Sequence, residues 1–312
     1  MTAPERQLLH YRPWHQQPQS WIAIPWAIAR LALLLIFRLR IFWLLLALAA
    51  LSFFFFFYAQ YLLVWISQHL AGETVRIAGI PFQAANLLRF LDRLALNGSA
   101  QTFANFIWFQ GYILVILLAF SGSLLFGNDL VHGSLTFYLA KPITLSQYLL
   151  GKCLAIALLV LLITLVPSFI LWLEAGLLYD WRTYYWDNLH LLVGMAGYCA
   201  CLTLTLSLLT AAAGLLLRRT VPLVLVWMGL FVLLRMMANW LTYASQDPCW
   251  RLLDLWNNLY LCGLWCLDVD HATVRPLPQP DFLSAFMANT GVIVTCLLVA
   301  GRQMATVTNS NM

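Results

Sequence analysis

Charged residues are scarce in this chain. They make up 9% of its 312 residues, against about a quarter in a soluble globular domain. Apolar residues reach 62%. A water-soluble fold of this length cannot cover so much apolar surface, so the composition excludes one and points to an integral membrane protein. The alternating ten-residue pattern of an outer-membrane barrel is also missing. Long unbroken apolar runs stand in its place, and in lipid such runs satisfy their own backbone groups as helices.

Catalytic signatures are missing as well. There is no His-Glu-x-x-His pair. Gly151-Lys152 has the ending of a phosphate loop, but position 146 is Ser where the first glycine belongs. The six histidines (His10, His15, His69, His132, His190 and His271) lie outside span interiors or at span ends. No intramembrane Ser or Asp sits near a base. The chain is therefore expected not to be an enzyme and to hold no cofactor or metal. If ATP drives it, another chain must hydrolyse that ATP.

A full disulfide framework is excluded by an odd count, since there are seven cysteines. Cys153, Cys199, Cys201 and Cys296 lie in or beside apolar spans, where cysteine serves as a small apolar residue. Cys249, Cys262 and Cys266 share one loop. One disulfide is open to them if that loop faces an oxidising compartment. No His or acidic residue stands at ligand spacing from them, which disfavours zinc.

What is present is a series of six apolar spans, about 41–66, 104–127, 152–179, 189–217, 220–243 and 282–303. Each is long enough to cross a bilayer as a helix. They make a single transmembrane unit over 1–312, an all-α polytopic fold. Residues 1–20 form a polar tail with Pro4, Pro13 and Pro18. The tail lacks the order of a cleaved signal and is expected to be retained. Residues 21–40 are apolar but contain Pro25, Arg30, Arg38 and Arg40. Arginines at mid-membrane are costly, so this segment reads as a helix lying in the interface. Leu87, Leu88, Leu91 and Leu94 predict an amphipathic helix in the loop 67–103. In the loop 244–281, Leu259 to Leu267 is apolar but too short to span, and reads as re-entrant or interfacial.

Loop charges orient the bundle. With both termini inside, the inner segments hold ten basic residues: Arg6, Arg12, Arg30, Arg38, Arg40, Lys141, Lys152, Arg218, Arg219 and Arg302. The outer segments hold six. The positive-inside rule favours cytoplasmic termini. The net charge of +5 follows from topology and gives no case for nucleic-acid binding. Two charges fall inside spans, Glu174 and Arg235, both toward the outer interface. They offer an ion pair or gating site, or simply reach out to water and headgroups. No acid lies near mid-span, which argues against a proton-coupled carrier. Pro167 is expected to kink the third span, and Gly194, Gly197, Ala200, Ser207, Ala211 and Gly214 give the fourth small faces for close packing.

The densest polar stretch is an island between the second and third spans: Asn128-Asp129-Leu130-Val131-His132-Gly133-Ser134-Leu135, running on through Lys141-Pro142 to Gly151-Lys152. A Gly- and Pro-punctuated turn between two spans must meet water or a protein, so it reads as a docking element. Asp129 suits a helix N-terminus, and Pro142 would end a short helix. Asp129, Gly133, Ser134, Leu135, Leu139, Pro142, Gly151 and Lys152 resemble the first cytoplasmic loop of ABC-2 type transporter permeases. The outline of the chain is similar to that family too: an interfacial helix, six spans, and a re-entrant-like segment before the last. Asp stands where Glu is commoner, and Tyr138 and Ala140 replace the usual Leu and Ser.

The resemblance implies a permease subunit in the cytoplasmic (inner) membrane. The island would be a coupling helix docked on a separate ABC ATPase, with ATP and Mg on that partner. His132 and Lys141 fall in the same element, and the short turn at Arg218-Arg219 would be a second contact. It also implies a dimer with a second permease copy or paralogue. Substrate export is the leading expectation. A non-transporting machine that drives a periplasmic partner, and an ATP-independent carrier or channel, are the alternatives.

Overall fold

Among the described residues, six helices are long and apolar enough to cross a membrane: Arg40–His69, Ala100–Gly127, Leu145–Leu178, Leu189–Leu217, Thr220–Ser245 and Phe282–Thr306. The chain is an all-α polytopic membrane protein. This computed structural model describes residues 21–69, 74–77, 80–83, 95–131, 143–270 and 277–309. The amphipathic helix expected around Leu87–Leu94 lies outside the described residues, as does the tail 1–20. The described part of that loop contributes instead a small antiparallel hairpin, β1 (Thr74–Ile77) and β2 (Ile80–Gln83), with Ile77 opposite Ile80.

The chain begins with α1 (Ala23–Phe37). Its fifteen residues span about 22 Å as a helix, short of the roughly 30 Å hydrocarbon core. The six long helices follow as α2 (Arg40–His69), α3 (Ala100–Gly127), α4 (Leu145–Leu178), α6 (Leu189–Leu217), α7 (Thr220–Ser245) and α9, whose apolar part is Phe282–Thr306. Two shorter helices interrupt the series, α5 (Trp181–Asp187) and α8 (Leu255–Cys266).

Helices α3 and α6 form the centre and are buried along most of their length, whereas α2, α7 and α9 show most of their surface to the outside. Small residues let α6 do this: it packs against α3, α4, α8 and α9. Within the Phe53–Phe57 run, Phe56 packs edge-on against Phe106 with centroids 5.2 Å apart, while Phe54 and Phe55 face outward.

Three long helices contain a π turn, at Ser123–Gly127, Leu161–Leu165 and Gly229–Leu233. The second ends two residues before Pro167, whose ring removes a backbone donor at that point. The distortion expected at Pro167 thus takes the form of a widened turn. The first lies where α3 runs into the polar island. An extra turn, Asn128–Val131, continues it.

The segment 244–270 folds back into the bundle. A 3-10 turn (Pro248–Leu253) leads to Asp254, whose carboxylate accepts from the Asn257 N–H at 3.1 Å and caps α8. Trp256 then lies directly against Gly111. Gly111 is eleven residues into α3, about 16 Å from that end of the helix. The segment packs back against α3, and its helix begins four residues earlier than the apolar run Leu259–Leu267 that marks it in sequence.

Candidate functional site

The bundle end that carries the polar island brings several of its residues together. Asp129 sits on the extra turn after α3. Thr144 begins α4 with a reciprocal cap: its hydroxyl accepts from the Gln147 N–H at 3.3 Å, and the Gln147 side chain accepts from the Thr144 N–H at 3.0 Å. One turn further, Tyr148 and Lys152 share a helix face, four residues apart. The Tyr148 hydroxyl donates to Asp129 Oδ2 at 2.7 Å. Lys152 Nζ reaches the same oxygen at 2.9 Å and lies 5.6 Å from the Tyr148 ring centroid.

Lys152 is buried, 4% exposed, and Asp129 is partly so at 15%. The pair is held by its geometry, since the Lys152 ammonium left alone would be a buried charge without compensation. Its effect is to tie the end of α3 to the first turns of α4, the two described ends of the island. His132, Gly133, Ser134, Leu135, Lys141 and Pro142 lie outside the described residues.

Two further elements join the stem. Helix α1 lies along the first turns of α4, and Gly151 permits the contact: a Cβ there would sit 2.7 Å from Ile28 Cβ and 2.9 Å from the Pro25 carbonyl oxygen. The turn between α6 and α7 meets α3. Arg218 ends α6 in the left-handed region (φ +53°), and a Cβ on Gly127 would lie 2.6 Å from its carbonyl oxygen. Ser123 and Thr220 hydrogen-bond at 2.7 Å. Arg218 and Arg219 themselves are exposed. Asp129, Gly151, Lys152 and the Arg218-Arg219 turn are therefore neighbours at one end. Tyr148 is the member that sequence reading missed, although its four-residue spacing from Lys152 was a usable signal.

The opposite end corrects two expectations. Glu174 and Arg235 do not pair. Arg235 instead stands 3.9 Å from Asp254 and lies over the rings of Trp108 and Tyr112, each 5.4 Å from its guanidinium carbon. The Glu174 carboxylate is buried, and neither oxygen has a hydrogen-bond partner among the described residues. The fold-back of 244–270 is the reason: it delivers Asp254, 1% exposed, to Arg235 from within. Arg235 is ten residues from the end of α7, about 15 Å along it. An acid does therefore reach the bundle interior, contrary to the count made from the spans alone. Arg251 donates to the Asn257 side chain at 2.9 Å beside it.

The second correction concerns cysteine. All seven are free thiols, so Cys249, Cys262 and Cys266 form no disulfide. Cys249 is exposed on the 3-10 turn, while Cys262 is buried on α8. Cys262 and Cys266 stand one turn apart on α8, where Cβ bonds run parallel. Among the described residues, no group of three or more His, Cys, Asp or Glu side chains is placed to hold a metal ion.

Aromatic residues close this end. Tyr184 donates to the Gly98 carbonyl at 2.8 Å, Tyr185 to that of Leu173 at 2.8 Å, and Trp172 to that of Asn188 at 3.2 Å. Burial pushes the Tyr184 phenol well above its ordinary range, with Tyr179 and Tyr185 adding to the effect. These bonds hold α5 across the ends of α3 and α4.

Compared with known proteins, the chain matches no protein-family model and no curated sequence. Its function has to be argued from the site.

Proposed function

We propose that this chain is the membrane subunit of an ATP-driven transporter of the ABC-2 type, exporting a substrate while a separate ABC ATPase hydrolyses the ATP. The observation that carries this reading is the stem at Asp129–Lys152. A docking loop can drive spans only if force on it reaches them rigidly. Here the loop's two ends are joined by a buried ion pair, and the stem is packed on α1 and near the Arg218-Arg219 turn. A push at 132–142 would move α1, α3, α4 and the α6–α7 turn as one body, which is rigid-body coupling of the kind that switches many transporters.

In this reading the island end faces the cytoplasm, both termini are cytoplasmic, and the membrane is the inner one. ATP and Mg bind the partner ATPase. A second copy or paralogue of the permease completes the machine. The exposed surfaces of α2, α7 and α9 meet lipid and that second subunit. A machine that drives a periplasmic partner without transport would use the same stem. An ATP-independent carrier is the competing reading, and the approach of Arg235 to the buried Asp254 is the observation that favours it.

The test is recovery of an ATPase with the chain from solubilised membranes, beside a Gly133→Trp variant. Recovery with the native chain and loss with the variant is the expected result. No ATPase in either sample, with the fold intact, would overturn the proposal and bring the carrier forward. Transport into vesicles then separates an exporter from a non-transporting machine.

A further inference from the structure

The guanidinium of Arg235 occupies an aromatic corner of the bundle. Trp108 and Tyr112 are four residues apart on α3 and so share one of its faces. Their rings meet edge to face with centroids 4.8 Å apart, and the Arg235 Cζ stands 5.4 Å from each centroid. The corner continues onto α8, where Trp256 packs on Tyr112 at 5.1 Å and Tyr260 on Trp108 at 6.0 Å. The Asp254 carboxylate, 1% exposed, lies 3.9 Å from Arg235 Nε. Aromatic faces are the groups with which proteins hold organic cations, and a buried carboxylate beside them needs a positive charge for company.

Two observations make this corner more than a fixed seat for arginine. The first is that the cation can leave it. Its approach to Asp254 is longer than a hydrogen bond. The Arg235 side chain is 27% exposed, so it reaches the outside of the bundle without crossing the core. The second is polar capacity left unspent. The Tyr112 hydroxyl and Trp256 Nε1 are buried and have no hydrogen-bond partner among the described residues. Buried polar atoms are nearly always paired, and both of these belong to rings of the corner. A ligand with a charged, hydrogen-bonding head on an apolar body would use the faces, the carboxylate and these atoms together.

We propose that this corner is a binding site for an organic cation, a guanidinium or ammonium on an apolar or aromatic body, and that Arg235 is its tethered competitor. The proposal rests on the transporter reading above and names its class of substrate. The exchange is cation for cation. As the ligand enters, Arg235 swings out toward the surface, and Asp254 keeps a positive neighbour throughout, so no buried charge is stranded. When Arg235 returns, it takes back the ring faces and evicts the ligand. Occupation of the corner by the arginine lowers the apparent affinity in proportion to the time that the corner stands open. The corner lies at the end opposite the polar island, which is the outer end on the transporter reading, and weak binding there suits release of an exported substrate.

The experiment titrates the full-length protein in nanodiscs with radioiodinated benzylguanidinium and subtracts the signal of empty nanodiscs. Saturable binding to the native chain, displaced by the unlabelled compound, is the expected result. Arg235→Ala should bind roughly tenfold tighter or more, because the competitor is gone. Asp254→Asn keeps a residue able to cap α8 but loses the charge, and Trp108→Leu loses one ring face; both should bind more weakly than the native chain. The native titration stands even if a variant fails to fold. No saturable binding to the native chain, an Arg235→Ala variant that binds no tighter, or binding untouched by both Asp254→Asn and Trp108→Leu would overturn the proposal. The measurement needs no ATPase. An ATPase recovered with a chain that binds no benzylguanidinium removes this site and leaves the transporter reading; binding by a chain that recovers no ATPase does the reverse.

Discussion

The Lys152 ammonium lies 2.9 Å from an Asp129 carboxylate oxygen, across the whole of the polar island between them. Their separation in sequence makes the bond a closure of the loop, and its burial makes it unforgiving. Removing Asp129 strands the buried Lys152 ammonium, at a cost of about 3–5 kcal/mol for a broken buried pair, whereas removing Lys152 leaves Asp129 still accepting from Tyr148. Asp129→Ala is expected to lower unfolding stability by an amount in that range, and Lys152→Ala by less. The double variant should lose less than the two losses added, because the second removal relieves the charge stranded by the first. Unfolding of the four proteins in nanodiscs checks this, and strictly additive losses would show that the pair is not coupled.

The seat of α1 on α4 depends on Gly151. Since a Cβ there would meet Ile28 Cβ at 2.7 Å, Gly151→Val should push α1 away. Overpacking of this kind costs about 1–3 kcal/mol. The junction between α1 and α2 at Arg38-Leu39 should then become accessible. Limited proteolysis of native and variant protein reads this directly: the variant is expected to be cut near 38–40 at least several-fold faster. Equal rates would mean that α1 is held by other contacts.

The sequence made the six spans legible because hydropathy sums local transfer free energies, and a helix in lipid needs only its own residues to satisfy its backbone. The same locality explains what it hid. Asp254 counts as a loop acid until the chain folds back through the Pro248–Leu253 turn, and no local pattern announces that it caps α8 inside the bundle. Asp129 and Lys152 were both visible as polar members of one island. Their pairing was not, because it depends on Tyr148 and Lys152 presenting one face of α4 to the end of α3. The hairpin Thr74–Ile77 with Ile80–Gln83 went unread because four-residue strands are too short for a periodic signal.

Arg235 is held by the Asp254 carboxylate and the faces of Trp108 and Tyr112, among other contacts. Lysine would keep the charge but lose the planar stacking that guanidinium gains on aromatic rings. Arg235→Lys is expected to cost about 0.5–2 kcal/mol, the range for such contacts. Arg235→Ala should cost more, because it leaves the buried Asp254 without this cation. Thermal unfolding should therefore rank native above Lys above Ala. An Arg235→Lys variant as stable as the native protein would show that the ring contacts contribute nothing.

Cys249 gives a reading of the fold-back segment from outside. Its backbone N–H donates to Asp247 Oδ1 at 2.9 Å, and its thiol is exposed. The hydrogen bond of that thiol to Asp247, together with the aspartate's charge, raises the thiol pKa above its ordinary value. A raised pKa leaves less thiolate at neutral pH, and the thiolate is the reactive species. Alkylation of Cys249 by a maleimide should therefore be slow at pH 7 and gain speed at higher pH than it does for a free cysteine. Asp247→Asn removes the negative charge, so the thiol deprotonates more readily and labelling at pH 7 should quicken. The rate against pH for both proteins checks the sign. A curve that does not move in the variant would mean that Asp247 does not govern this thiol.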